Sequence, residues 1–163
     1  MKAHVRIVAC MVSFTFLLAV PSALAQADKL VGVWKLIEVQ YPEFPGAGPN
    51  PLSATKPQPS IAVFTKKHFS MTLITGKEPR LDTLKDPTKE QLVELFRTFS
   101  GTAGTYEVEG STLTMHITVS WVPNYMNKPA PQEFRFEGDN LVLTTASKDP
   151  KTLPITMKFT RLE

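Results

Sequence analysis

The segment from Thr112 to Trp121 constrains this chain more than any other. Leu113, Met115, Ile117, Val119 and Trp121 alternate with Thr112, Thr114, His116, Thr118 and Ser120. A period of two is the period of a β-strand, so the apolar set shares one face and the polar set the other. Such a strand lies on a core and turns its second face to water, as strands of antiparallel sheets do. A helix would scatter both sets around its axis.

The same alternation recurs along the chain. From His68 to Thr75, Phe69, Met71 and Leu73 oppose His68, Ser70 and Thr72. Phe134 and Phe136 share a face between Gln132 and Glu137. Ile155, Met157, Phe159 and Arg161 alternate with Thr156, Lys158, Thr160 and Leu162. Leu30 to Tyr41, Ile61 to Thr65, Gly104 to Glu109 and Leu141 to Ala146 complete about eight strand candidates. Short turns join several of them: Lys66-Lys67, Gly110-Ser111, Gly138-Asp139-Asn140 and Lys148-Asp149-Pro150. Lys-Lys is not favoured hairpin chemistry. A longer turn-rich segment runs from Pro123 to Pro131.

One helix is expected, near 87–99. Asp86 can cap it, Pro87 suits its first position, and Thr88 with Gln91 offers a capping box. Leu92, Leu95, Phe96 and Phe99 recur at helical spacing opposite Lys89, Glu90, Glu94 and Arg97. This amphipathic helix covers something. Many sequential strands with one inserted helix and no βαβ alternation predict an all-β fold: an antiparallel up-and-down barrel or a sandwich.

Two segments stand apart. Residues 42–60 hold Pro42, Pro45, Pro49, Pro51, Pro57 and Pro59, which rule out a regular ladder or helix. Loops of this length are functional or disordered more often than structural. Residues 1–25 read as a signal peptide: Lys2 and Arg6, an apolar run from Ile7 to Val20, then Ala23-Leu24-Ala25. The run is short for a membrane span, and an uncleaved anchor is the alternative. The domain proper is then 26–163, exported to the periplasm or medium, with no stable span after cleavage.

Cleavage changes the composition. The leader holds two of the 18 basic side chains and no acid, leaving 16 against 15 and a net of +1 in place of +3. That charge is too weak to imply a nucleic-acid partner, and none is expected. Cys10 leaves as well, which excludes disulfides, a thiol nucleophile and Cys-ligated metal.

At Leu30-Val31-Gly32-Val33-Trp34-Lys35-Leu36 the chain resembles the lipocalin opening, a Gly-x-Trp at the start of the first barrel strand. Further pieces are similar to the bacterial lipocalin-like domain family: 63–70 (VFTKKHFS), Glu78-Pro79-Arg80, Gly104-Thr105-Tyr106-Glu107-Val108 and 137–144 (EGDNLVLT). They span most of 26–163 in the expected order. The resemblance implies an eight-stranded barrel with one closed and one open end, able to hold a small apolar ligand. It implies no established reaction and no cofactor. In lipocalins a basic side chain of the last strand stacks on the opening Trp. Arg161, in phase with the apolar face of its own strand, is the matching residue, and contact with Trp34 is worth about 0.5–2 kcal/mol. The chain departs from typical lipocalins in lacking disulfides and in carrying its helix between strands.

The expected ligand-binding set is Met71, Leu73, Tyr106, Met115, Ile117, Met157 and Phe159, with Trp34 and Arg161 structural. Methionines suit an adaptable pocket and equally an ordinary filled core. The loop after the first strand is either a lid, through Tyr41, Phe44 and Leu52, or plain surface. His68 beside two lysines is expected in solvent. His116 anchors a ligand if the threonine face points inward; Met115 and Trp121 opposite it favour the outward reading. Arg80 and Arg135 read as surface charges. No metal set and no local catalytic motif appears: G-x-S-x-G, H-E-x-x-H, a P-loop and a dinucleotide fingerprint are all missing. Enzymatic use as an isomerase or cyclase stays open, with an inward Tyr106, an arginine and a carboxylate as its mark. The third option is an interaction module with a solid barrel and an exposed apolar patch.

Overall fold

A computed structural model describes residues 23–42, 53, 57–74, 85–145 and 154–163. Phe44, Leu52, Arg80, the 148–150 turn and all but the end of the leader lie outside the described residues. The elements are α1 (Ala23–Leu30), β1 (Gly32–Gln40), β2 (Ile61–Phe64), β3 (His68–Ile74), α2 (Lys89–Arg97), β4 (Phe99–Glu109), β5 (Thr112–Ser120), β6 (Pro129–Glu137), β7 (Asn140–Thr145) and β8 (Thr156–Arg161). Among the described residues no helix is long and apolar enough to cross a membrane.

Each strand pairs antiparallel with the next, and β8 returns to β1, so the sheet closes into an eight-stranded up-and-down barrel. Closure removes the free edges that an open sheet would expose. The apolar alternation points inward around the wall. Trp34, Leu36, Ala62, Phe64, Phe69, Met71, Leu113, Met115, Phe134, Leu141, Leu143 and Phe159 form one buried cluster.

The two ends are built differently. At one end the connections are short: Thr65 to Lys67, Gly110-Ser111 and Gly138-Asp139. Thr65 makes the Lys-Lys turn workable, because its Oγ1 accepts from the amides of Lys67 and His68, at 3.4 and 3.0 Å. All four longer connections leave from the other end: β1 to β2, β3 to β4 with α2, β5 to β6, and β7 to β8.

Two register shifts adjust the wall. Between Leu36 and Glu38, β1 steps against β8, so Leu36 and Val39 both face inward. Between Ala103 and Gly104, β4 steps against β5. Gly104 lies opposite Ile117 and Ala103 opposite Val119, leaving Thr118 unmatched, the pattern of a bulge. A Cβ on Gly104 would collide with the His116 carbonyl, so the bulge requires glycine there. This corrects the unbroken face expected for Thr112 to Trp121. Beyond Ile117 the alternation inverts, and Val119 is 61% exposed.

The helix is corrected in two respects. Thr88, not Asp86, is its N-cap, with the Thr88–Gln91 capping box formed in both directions at 3.2 and 2.9 Å. Phe99 belongs to β4, which pairs with β3 as far as Phe99↔Ile74. No residue of α2 is buried, so it covers less than its pattern suggests; Phe96 rests on Trp121 with ring centroids 4.8 Å apart.

Candidate functional site

The floor of the barrel is the short-turn end. Trp34 is its centre, and its indole Nε1 donates to the Leu30 carbonyl at 2.8 Å. That bond draws α1 onto the floor and leaves Leu30 fully buried. The Arg161 guanidinium lies 4.2 Å from the Trp34 ring centroid, so the expected stack is present. It also donates to the backbone carbonyls of Val31, at 2.8 Å, Glu163, at 3.1 Å, and Lys29. Arg161 thus shares the inner face with Phe159 while its charge faces carbonyl oxygens at the rim of the floor. Gly32 has φ +148°, and a Cβ on it would strike the Glu163 carbonyl and the Arg161 guanidinium. The Gly-x-Trp pattern is therefore a packing requirement of the floor.

Tyr106 also belongs to the floor. Its ring meets Phe64 edge-on at 5.5 Å, and its hydroxyl donates to the Thr65 carbonyl at 2.6 Å. Burial, and after it the Asp28 carboxylate, push the phenol above its usual pKa. Its hydroxyl is thus engaged with the β2–β3 turn. Phe159, opposite Leu36 and Leu141, is fully buried within the wall.

The other five expected lining residues, Met71, Leu73, Met115, Ile117 and Met157, face inward; Met115 pairs with Tyr106, and Leu73, Ile117 and Met157 lie closer to the open end. Met71 and Met115 are 5% exposed and Ile117 8%; towards the floor Phe159 and Leu141 are at 0%, while Tyr106, Val108 and Phe136 are half-buried. Leu73 and Met157, nearer the mouth, are half-buried as well. Tyr41, whose backbone N–H and carbonyl both bond Ser53 Oγ at 2.8 and 3.3 Å, packs against the same cluster. These contacts hold the start of the Pro-rich connection against the mouth.

β5 and β6 pair only from Thr112↔Glu133 to His116↔Pro129. Beyond that point the Asn127 amide bonds the Ile117 carbonyl at 2.9 Å, and a crevice of about 290 Å³ opens between the strands. Ile117 lines it with His116, Thr118, Asn127, Lys128 and Pro129. His116 itself turns outward and meets Glu107 at 3.1 Å, and His68 is exposed. Arg135 is outward as well. It pairs with Glu137 at 2.7 Å, as does Lys158 at 2.8 Å, and these two hydrogen bonds hold the Glu137 carboxyl below its ordinary pKa.

Gln132 is an inward polar residue that the strand pattern did not mark out. It is in phase with Phe134 and Phe136 and lies opposite Leu113 on β5 and Thr145 on β7. It is 9% exposed, and its Oε1 is the buried side-chain polar atom without a hydrogen-bond partner among the described residues. Ser60, the other buried polar residue, is satisfied: its Oγ donates to the Gln58 carbonyl at 2.9 Å and accepts from the Ile74 amide at 2.8 Å. The signal for Gln132 was its phase, two residues before Phe134.

An inward cluster of tyrosine, arginine and carboxylate does not form among the described residues. Tyr106 and Arg161 bond backbone carbonyls at the floor, and Glu107, Glu109, Glu133 and Glu137 are exposed. A family model described as a lipocalin-like domain matches residues 31–157. A comparison with curated proteins found no match.

Proposed function

The chain belongs to the lipocalin-like domain family, and on that premise we propose that it is an exported carrier of a small, largely apolar molecule. The ligand sits in the mouthward half of the barrel against Met71, Leu73, Met115, Ile117 and Met157. Binding comes from burial of apolar area, at about 25 cal/mol per Å². The methionines accommodate ligand shape. The observation that carries this reading is the asymmetry of the two ends: a floor closed by α1, Trp34 and Arg161, and a mouth from which all the long connections leave and where Leu73 and Met157 are half-buried.

Export rests on the leader at 1–25. Cleavage after Ala25 keeps Lys29 and Leu30, whose carbonyls receive Arg161 and Trp34, so the floor survives processing. The test is a titration of the protein, purified from cells expressing the full chain, with the neutral fluorophore N-phenyl-1-naphthylamine. Saturable enhancement is expected, weakened several-fold by Met71→Trp or Leu73→Trp, which fill the mouth. An unsaturable signal, or one indifferent to both substitutions, would refute it. N-terminal sequencing of the exported fraction should begin at Gln26.

A second reading, a protein-contact module, has one observation in its favour. Leu92, Val93 and Phe96 of α2 are 49, 48 and 57% exposed. Under the carrier reading Leu92→Lys leaves probe binding unchanged.

A further inference from the structure

A buried amide oxygen without a partner has lost its hydration and gained nothing in return. Gln132 is in that position on the inner wall. Its inward neighbours along β6 are Ala130 and Phe134, and across the strands Leu113 and Thr145. None of these has a hydrogen aimed at Oε1. The Thr145 Oγ1 accepts from the Ile155 amide at 2.8 Å. Ala130 is half-buried and lies opposite Met115, while Leu113, opposite the amide itself, is fully buried beside the Gly110-Ser111 turn, so the amide stands midway along the inner wall, one inward step floorward of Ala130 and Met115.

We propose that Gln132 is the polar recognition point of the barrel and that its ligand is an uncharged, mainly apolar alcohol whose hydroxyl donates to Gln132 Oε1. The inference rests on the carrier reading and adds the class of ligand. A hydroxyl matches a primary amide in both directions, because it can donate to Oε1 and accept from Nε2. An ionised head group fits poorly. Glu133 and Arg135 follow Gln132 along β6 but point outward, and among the described residues no cation stands with its inward neighbours to balance a carboxylate. A pure hydrocarbon would fill the space and leave the amide unpaired.

The experiment compares two isomers, nonanol and octyl methyl ether, as displacers of N-phenyl-1-naphthylamine from the purified protein, with nonanoate at neutral pH as a third arm. Both isomers have the same atoms, and only the alcohol has a donor. Nonanol should displace the probe at a roughly tenfold lower concentration than the ether, and nonanoate should be weaker than nonanol. In Gln132→Met, with Gln132→Leu as a second variant, the two isomers should become equivalent within about twofold, each displacement being referred to the probe's own Kd for that variant, since the probe also carries an N–H donor. A preference for the alcohol that survives both substitutions overturns the assignment, as does equal displacement by the isomers in the unsubstituted protein. Failure of the probe to bind any of the proteins overturns the carrier reading itself, and this inference with it.

Discussion

The floor and the mouth of this barrel are made from the same strands yet solve different problems. At the floor, Trp34, Phe64, Phe159 and Leu141 are within 1% of complete burial, and the polar atoms that come with them are bonded: the Trp34 indole to Leu30, the Tyr106 hydroxyl to Thr65, the Arg161 guanidinium to backbone carbonyls. At the mouth, methionines replace aromatics and Leu73 and Met157 are half-buried; the unpaired Gln132 oxygen lies between, midway along the wall. Burial is most complete around Trp34, and the guest proposed above would sit where it is less so. On that proposal, packing and recognition are separated along the barrel axis.

Substitutions at the two ends test that separation. Trp34→Ala removes a buried ring, its hydrogen bond and the seat of Arg161; it should cost about 3–5 kcal/mol in denaturant unfolding. Leu73→Ala, at the mouth, should cost only about 1–2 kcal/mol because the side chain is half-exposed, but should weaken probe binding several-fold. Equal stability losses at the two positions would abolish the contrast. Tyr106→Phe should cost about 1 kcal/mol near neutrality through the lost bond to Thr65. Its pH signature has a definite sign. The folded-state pKa is raised, so the neutral phenol's contribution is fully present below 10.0, the ordinary tyrosine value, and is lost as pH rises through the folded value. The variant should therefore unfold less steeply in alkali than the parent. The smallest effect belongs to the outer wall. Glu137 has a lowered pKa, so its pairing helps above the ordinary carboxylate value and fades as pH falls through the folded one. Glu137→Gln should lower the melting temperature slightly at neutral pH, less in high salt, and not at all in strong acid.

Much of the architecture was legible in the residues. The period of two in β3, β5, β6 and β8 fixed their faces, and the phase of Arg161 with Phe159 pointed to Trp34. What escaped was whatever depends on a partner strand. The inversion at Val119 follows from the approach of Gly104 to the His116 carbonyl, a contact invisible within β5 alone. Phe99 had helical spacing from Leu92 and Leu95, but pairing with Ile74 drew it into β4. Tyr106 was expected in the site from its inward phase; which end of the wall it occupied depended on strand register. Gln132 carried the opposite lesson, since its phase was plain but a polar residue in an apolar row is easily taken for the strand's end.

The Arg161 bonds to Val31 and Lys29 join residues 130 and 132 positions apart. This span has a kinetic meaning. β1 emerges first during synthesis, yet cannot acquire its second neighbour until β8 has been made. Until then the sheet has two bare edges and an incomplete floor, the state in which chains of this kind associate with one another. Loop closure over such a separation also slows the final step relative to hairpin formation. The barrel therefore stays open until its last strand arrives to lock the first.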